Sequence, residues 1–209
     1  EDGKTFFSNV TFTINKNDKV AIISDNSMAV TTFLRILAGE TQANSGSFEY
    51  GVTITKSYIP NDNKSYFEVD LNLIDWLRQY STEKDETFVR GFLGRMLFSG
   101  EETLKKCSVL SGGEKVRCML SKTMLEEGNF LILDEPTNHL DLESITALNN
   151  GLIDYAGTMI FTSHDHTFTH TIANRIIEIT PKGVIDRLMS YDDYLADEKI
   201  QALRQEMYA

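Results

Sequence analysis

The chain has 209 residues, of which 41% are hydrophobic, so it is long and apolar enough to build the core of one domain. Its net charge of −11 at neutral pH excludes a non-specific nucleic-acid binder, because such binding depends on Lys and Arg. Two cysteines, Cys107 and Cys118, are too few for a disulfide framework and indicate a reducing, cytoplasmic setting. No run of about 18 apolar residues occurs, so the sequence predicts no membrane insertion.

Two kinds of apolar pattern predict strands. In residues 10–14 and 48–54, apolar and polar residues alternate, which predicts half-buried strands of the antiparallel type. Four other runs are continuously apolar, which predicts buried strands of a mainly parallel sheet. These runs are residues 20–23, 130–133, 159–161 and 176–179.

Helical spacing of apolar residues predicts helices between the strands. One helix is predicted from Thr31 to Ala38 and ends at Gly39. Residues 61–124 have the pattern of a helical insertion, and residues 191–209 that of a docked or overhanging helix. The sequence therefore predicts a single α/β domain over residues 1–209. Because the chain begins without Met and soon enters a strand, we expect it to be a piece that lacks its N-terminal strand.

Two carboxylates, Asp134 and Glu135, follow the apolar run at residues 130–133. In open α/β sheets, ligands bind at the carboxyl ends of the strands. This position suits a site for a magnesium-bound nucleotide, in which Asp134 holds Mg²⁺ and Glu135 polarises the attacking water. A solvated turn is the alternative, which Pro136 and the Thr-Asn-His-Leu-Asp run after it disfavour.

A second segment, residues 110–117, has the sequence Leu-Ser-Gly-Gly-Glu-Lys-Val-Arg. The Ser111 hydroxyl and the N–H groups of Gly112 and Gly113 lie at a predicted helix start, which suits a phosphate. Ser111 and Glu114 also match a capping box, in which each side chain bonds to the other residue's backbone N–H. Both interpretations can hold, because a capped helix N-terminus also binds anions.

The two segments together resemble the signature and Walker B motifs of the ATP-binding cassette (ABC) superfamily. Asn-His-Leu-Asp at residues 138–141 is similar to the soluble F subfamily, whose members carry two cassettes in one chain and no membrane domain. Residues 76–111 are most similar to the second cassette of a bacterial member. The resemblance covers nearly the whole chain. It implies a P-loop NTPase fold with an antiparallel β subdomain, ATP and Mg²⁺ as cofactors, a second cassette as partner, and work on ribosomes in translation control.

The resemblance also implies roles for single residues. His164 follows the run at residues 159–161, where a histidine can bond to the γ-phosphate or fix the attacking water. Ser111, Gly112, Gly113 and Glu114 serve the nucleotide of the opposite cassette. Asn61 stands where cassettes usually carry a glutamine that senses Mg²⁺ and the γ-phosphate. His164, His166 and His170 also suggest a metal site, but the sequence supplies no further ligands.

The phosphate-binding loop departs from the family's pattern. A Walker A motif has Gly, four residues, Gly, Lys, and then Ser or Thr. Here Ser24 and Ala29 replace the glycines, and Val30 replaces the lysine. Losing that lysine removes a charge-assisted contact of roughly 1.5–3 kcal/mol, while Thr31 remains to bind Mg²⁺. The residues expected at the nucleotide are Ser24, Asp25, Asn26, Ser27, Met28, Ala29, Val30, Thr31 and Thr32.

Three functions remain open on these observations. In the first, the chain binds and hydrolyses ATP as one half of a two-cassette protein. In the second, it is a catalytically silent half, whose altered loop binds nucleotide weakly while its signature motif completes the partner's site. In the third, it is the ATPase subunit of a membrane transporter, which Asn138 and His139 argue against.

Overall fold

Six strands form one sheet within residues 5–209, which the computed structural model describes. They are β1 (Lys19–Ile23), β2 (Lys56–Ile59), β3 (Phe130–Asp134), β4 (Thr158–Thr162), β5 (Arg175–Thr180) and β6 (Gly183–Arg187). Their order is β2-β3-β4-β1-β5-β6, and every neighbouring pair is parallel except β5 and β6. The predicted α/β fold with a mainly parallel sheet is thus confirmed.

Eight α-helices surround the sheet in this part of the chain. They are α1 (Ser27–Ala38), α2 (Leu73–Arg78), α3 (Glu86–Arg95), α4 (Gly112–Leu125), α5 (Leu142–Ile153), α6 (His166–Ile172), α7 (Tyr191–Ala196) and α8 (Glu198–Tyr208). Short 3-10 turns at Lys64–Phe67, Gly100–Leu104 and Cys107–Val109 connect the helices of the insertion. Residues 191–209 form α7 and α8, and Tyr194 and Ile200 anchor them in the core.

The sheet is buried on both faces. Successive side chains of a strand point to opposite faces, so Val20 and Ile22 pack with α1 while Ala21 joins the larger cluster on the other face. Continuous apolar runs are what a strand needs when both of its faces are covered. This explains why the four continuous runs became β1, β3, β4 and β5.

The antiparallel strands predicted at residues 10–14 and 48–54 are not formed, so that part of the prediction is wrong. Neither segment pairs as a strand, and residues 52–53 form a turn closed by the Ile54 N–H, which donates to the Gly51 carbonyl at 3.0 Å. Phe12 packs against Phe33 of α1, with ring centroids 5.8 Å apart, and Tyr50 packs against Phe130 at 5.7 Å. Phe48 and Val52 are exposed. Alternation predicted the half-buried side chains of residues 10–14, but it does not specify a hydrogen-bonding partner.

Two strands lie where the sequence pattern did not place them. β2 begins after the alternating stretch and pairs with β3 in parallel, with Ile59 opposite Leu133. β6 forms a hairpin with β5, with Gly183 opposite Thr180. Both strands are at the edges of the sheet. Edge strands are short and half-covered, so their apolar signal is weak.

The helical insertion packs around Trp76 on α2. Its indole N–H donates to the Tyr66 carbonyl at 2.7 Å, and its ring stacks on Phe67 with centroids 4.7 Å apart. Tyr80 meets the same ring edge-on at 5.2 Å. A fully buried indole with its N–H satisfied fixes the orientation of this layer against the sheet. The insertion thereby carries the start of α4 towards the end of β3.

Helix α1 begins at Ser27 rather than at Thr31. Asn26 is its N-cap, with an extended backbone and a side-chain oxygen that accepts the Met28 N–H at 3.2 Å. Asn is among the best N-cap residues, and Ala29 favours a helix where the family's glycine would not. The helix ends as predicted at Gly39, whose φ of +85° suits glycine. The loop between β1 and α1 is consequently short.

Candidate functional site

Asp134 ends β3 and points towards α1. The Thr31 hydroxyl donates to its Oδ1 at 3.2 Å, while Oδ2 is buried and has no hydrogen-bond partner within residues 5–209. Burial raises the pKa of Asp134 to about 6, with Glu135 raising it further and the Thr31 hydrogen bond opposing the shift. A buried carboxylate oxygen without a donor needs a cation or water beside it. Asp134 and Thr31 therefore fit Mg²⁺, which prefers oxygen ligands.

Glu135 is held by the end of β4. Its Oε1 accepts the Thr162 hydroxyl at 3.3 Å, and its Oε2 accepts the His164 backbone N–H at 3.1 Å. The side chain is 8% exposed. The backbone φ of +51° is unusual for a residue with a Cβ, and such positions cost of order 1–3 kcal/mol. These hydrogen bonds hold the Glu135 side chain in a defined position just after the carboxyl end of β3.

His164 lies beside this carboxylate, with Nε2 3.5 Å from Glu135 Oε1. Its side chain is 82% exposed, so the ring faces outwards and is free to meet a ligand. Next to it, the Ser163 hydroxyl bonds to the Thr137 hydroxyl at 2.8 Å. The structure thus brings the residues predicted to carry hydrolysis together. Thr162 is a positioning residue that sequence reasoning missed, although it directly follows the apolar run of β4.

Asn61 lies after β2, next to the Walker B segment. Its backbone lowers the pKa of Asp134 and so opposes the rise that burial causes. Its side-chain oxygen accepts from the Asn138 amide at 3.4 Å. The shorter side chain is therefore tied to the loop after β3, and Asn61 is close enough to Asp134 to belong to the same site.

Several amides of the loop between β1 and α1 have hydrogen-bond partners. The N–H of Asn26 donates to the Ser24 hydroxyl at 3.2 Å, and that of Ala29 donates to the Asn26 carbonyl at 3.0 Å. The Asp25 N–H donates to the Tyr208 hydroxyl of α8 at 3.3 Å. A phosphate-binding loop works by presenting unpaired N–H groups. In this conformation several of those groups already have protein partners.

The side chains at the second glycine position and at the lysine position point inwards. Ala29 is 1% exposed and Val30 is 3% exposed. Val30 belongs to the core cluster of α1 and the sheet, together with Phe33 and Ile132. A lysine at position 30 would begin inside the core unless the helix start moved. Six other predicted nucleotide residues have more exposed side chains at the helix start, namely Ser24, Asp25, Asn26, Ser27, Met28 and Thr32.

The predicted capping box at α4 is confirmed. The Ser111 hydroxyl accepts the Glu114 N–H at 3.3 Å, and the Glu114 carboxylate accepts the Ser111 N–H at 2.8 Å. Lys105 adds an ion pair to Glu114 at 2.7 Å. These bonds hold the pKa of Glu114 below its usual range against the opposing effect of burial. The signature segment is therefore a rigid helix start.

A cleft of about 220 Å³ joins this helix start to the carboxylates. It is lined by Gly112, Asn61, Asp134, Glu135 and His139, among others. The residues of the loop between β1 and α1 do not line it. Gly112 of the signature segment and the two carboxylates thus share one cleft, and the loop between β1 and α1 lies outside it.

Gly113 has a structural role inside the chain. A Cβ at this position would lie 2.6 Å from the His139 carbonyl oxygen, too close for any real contact. We expect Gly113→Ala to lower the free energy of unfolding by about 1–3 kcal/mol, because a backbone atom must move. Gly91→Ala on α3 is the matched control. Its Cβ would meet open space, and alanine should stabilise the helix by about 0.5–1 kcal/mol.

Urea denaturation of the two variants checks this prediction. Equal midpoints for Gly113→Ala and the parent would contradict it, because the His139 backbone could then move aside without loss of stability. If Gly113→Ala is destabilised, this substitution changes folding as well as function. It is then unsuitable for testing whether the start of α4 completes the site of a partner cassette. Ser111→Asn is the cleaner substitution, since asparagine keeps the N-cap of α4.

The family model for ABC transporters matches residues 7–138. The chain belongs to the ABC transporter family. Among curated relatives, the ABC domain is 62% identical to the uncharacterized ABC transporter ATP-binding protein YkpA of Bacillus subtilis (strain 168), over all of this chain and 39% of that protein. It is 42% identical to the probable ATP-binding protein YbiT of Escherichia coli O157:H7, over 96% of this chain and 38% of that protein.

Relatives of the ABC domain include proteins of the F family. It is 31% identical to ABC transporter F family member 2 of Arabidopsis thaliana, over 99% of this chain and 30% of that protein. The chain therefore spans well under half the length of these three relatives.

Solved structures of ABC proteins share the fold. An archaeal ribosome recycling factor, solved in complex with a ribosomal stalk protein, aligns with a TM-score of 0.72 at 23% identity, over 90% of this chain and 38% of that chain. The ATP-binding cassette MJ0796, solved as a dimer bound to ADP and phosphate, aligns with a TM-score of 0.72 at 15% identity, over 88% of this chain and 90% of that chain. At these identities the likeness establishes the fold alone.

Two features of the described part of the chain bear on the alternatives. None of its helices has the length and apolar character needed to cross a bilayer. Residues 5–209 also contain no group of three or more His, Cys, Asp or Glu side chains suited to a metal ion. His166 and His170 instead each bond to one oxygen of Asp192, at 3.1 and 2.9 Å. The three histidines do not converge on a metal site.

Proposed function

We propose that the chain is one cassette of an F-subfamily protein, and that it binds and hydrolyses ATP at an interface with a second cassette. The observation that carries this proposal is the pair at the end of β3. Within residues 5–209, Asp134 has a buried carboxylate oxygen without a hydrogen-bond partner, and Glu135 is fixed beside it by Thr162 and His164. The unpartnered oxygen of Asp134 and the left-handed backbone of Glu135 each cost stability, so a ligand is the simplest reason for both.

The roles follow from chemistry and position. Asp134 and Thr31 would hold Mg²⁺, which neutralises charge on phosphate oxygens when bound. Glu135 orients a water and accepts its proton, and the exposed ring of His164 hydrogen-bonds to the terminal phosphate. Asn61 senses the same region, since it lies beside Asp134 and its side chain accepts a hydrogen bond from Asn138.

The remaining predicted nucleotide residues divide into two groups. Ser24 to Thr32 would surround the phosphates of the nucleotide bound by this chain. Ser111, Gly112, Gly113 and Glu114 would complete the site of the second cassette. From the resemblance to the F subfamily, which an F-family relative supports, we further propose that this is a second cassette, that the whole protein is cytoplasmic and that it acts on ribosomes.

A specific observation favours the silent-half alternative. Ala29 and Val30 are buried, and the loop amides of Asp25, Asn26 and Ala29 are bonded within the protein. In this alternative, the chain lends Ser111 and its helix start to a partner without turning over ATP itself. The transporter-subunit alternative rests only on the family's general name.

Calorimetric titration with Mg-ATP separates the first two functions. The parent is compared with Ala29→Gly/Val30→Lys and with Ala29→Gly/Val30→Met, in which methionine matches the length of lysine without its charge. We expect the parent to bind, and the lysine variant to bind roughly 10–150-fold more tightly than the methionine variant. Binding by the lysine variant alone would favour the silent half. Failure of all three to bind would contradict the proposed nucleotide site.

A further inference from the structure

A buried carboxylate joins the C-terminal helices to the edge of the sheet where the nucleotide site lies. Glu178 on β5 is 1% exposed and accepts bonds from Arg204 at 2.8 Å, Tyr194 at 2.5 Å and Tyr208 at 2.9 Å. A buried charge of this kind is stable only when it is paired and hydrogen-bonded. Glu178 is therefore an anchor for both α7 and α8.

Register places this anchor beside the phosphate loop. Glu178 lies opposite Ile23, the last residue of β1, in the parallel pairing of β1 with β5. The residues after Ile23 form the loop itself, so a side chain bonded to Glu178 is within reach of that loop. Tyr208 in the last turn of α8 makes this contact.

The Tyr208 hydroxyl connects Glu178 to the loop between β1 and α1. Burial, with the nearby Glu178 carboxylate, raises the pKa of Tyr208 to about 12, so the hydroxyl stays protonated at neutral pH. Its one proton can go to Glu178, and its oxygen then accepts the Asp25 N–H at 3.3 Å. The orientation of this donor and acceptor pair is fixed by the buried charge.

Tyr208 differs from the other partners of the loop amides. The N–H of Asn26 donates to Ser24, and those of Met28 and Ala29 donate to Asn26, all within the loop and the first turn of α1. The partner of Asp25 instead comes from a helix 183 residues away in the sequence. A local rearrangement can release the first three bonds, whereas the Asp25 bond also depends on where α8 lies.

We propose that α8 is a latch on the phosphate loop, with Tyr208 holding the loop closed while α8 is docked. Release of the tyrosine frees the Asp25 N–H and lets the loop open towards phosphates. By thermodynamic linkage, a phosphate that binds to this loop weakens the docking of α8 by the same free energy with which docked α8 weakens phosphate binding. The role of the opened loop in binding nucleotide rests on the proposed function; the latch itself does not.

Two tyrosine variants of the full 209-residue chain test the latch. Tyr208→Phe removes the bond to the loop but keeps the ring, and Tyr194→Phe is the matched control. Tyr194 also donates to Glu178, but its hydroxyl bonds to this carboxylate rather than to the loop. Hydrogen exchange of the Asp25 amide is followed by NMR without nucleotide, and Mg-ATP affinity is measured by calorimetry.

We expect Tyr208→Phe to speed exchange of the Asp25 amide about fivefold over both the parent and Tyr194→Phe, as loss of one neutral hydrogen bond predicts. Mg-ATP affinity should rise by a similar factor in Tyr208→Phe alone. Equal exchange at Asp25 in the two variants would overturn the latch. Faster exchange in Tyr208→Phe with no Mg-ATP binding in any form would support the latch and contradict the proposed nucleotide site.

Discussion

Replacing Glu135 with glutamine is expected to lower ATP turnover at this cassette by about 10²–10⁴-fold, the usual loss on removing a general base. The fold should survive, because glutamine can accept the His164 N–H while the Thr162 hydroxyl turns to accept the new amide donor. The substitution thus removes the proton acceptor and leaves its position occupied. Single-turnover hydrolysis, measured in a two-cassette protein whose other catalytic glutamate is already changed, isolates this site.

Glu143→Gln is the matched control for that experiment. Glu143 lies in the first turn of α5, exposed to solvent, and does not line the cleft that contains Glu135. Its substitution should leave turnover unchanged. Equal turnover by Glu135→Gln and Glu143→Gln would rule out hydrolysis through Glu135 and would leave only the role in trans.

Replacing Asp134 with asparagine is expected to stabilise the metal-free protein and to remove its response to Mg²⁺. The folded-state pKa of Asp134 is raised to about 6, above its ordinary value of 3.8. The ionised group therefore costs stability as the pH rises through about 6, and an uncharged amide avoids this cost. At pH 7.5, we expect a gain on the order of 1–3 kcal/mol in the free energy of unfolding.

Urea denaturation with and without Mg²⁺ measures both effects. The parent should gain stability from Mg²⁺, since the cation compensates the buried charge, and Asp134→Asn should not. Asp141→Asn is the control, because asparagine replaces aspartate as the N-cap of α5 without loss of the cap. A Mg²⁺ response of the same size in the parent and in Asp134→Asn would place the cation elsewhere.

Much of the sheet could be predicted because buried parallel strands need unbroken apolar runs, and β3 and β4 have them. The segments around Phe12 and Tyr50 mark the limit of this reasoning. Their alternation is equally suited to paired strands and to unpaired segments that pack on α1 and β3. Only the tertiary contact with Phe33 and Phe130 distinguishes the two.

The residues of the candidate site likewise divide into those that local sequence predicts and those that depend on tertiary structure. Asp134 and Glu135 were predictable because their chemistry follows from the local sequence after a strand, and the capping box of Ser111 is likewise local. The predicted start of α1 at Thr31 is wrong, because the apolar spacing that indicates the helix begins only after Thr31, whereas Asn26 supplies the cap. Tyr208 was not predictable, since nothing near it in the sequence indicates a contact with Asp25.

Asp134 and Thr31 together form the proposed metal site for a bound nucleotide. A crystal structure of the chain with Mn²⁺ and a non-hydrolysable ATP analogue tests this site most directly, because the anomalous signal of manganese locates the cation. We expect one peak in contact with Asp134 Oδ2 and the Thr31 hydroxyl, beside the phosphates. Nucleotide bound with its cation away from Asp134, or no nucleotide between Ser24 and Thr32, would contradict it.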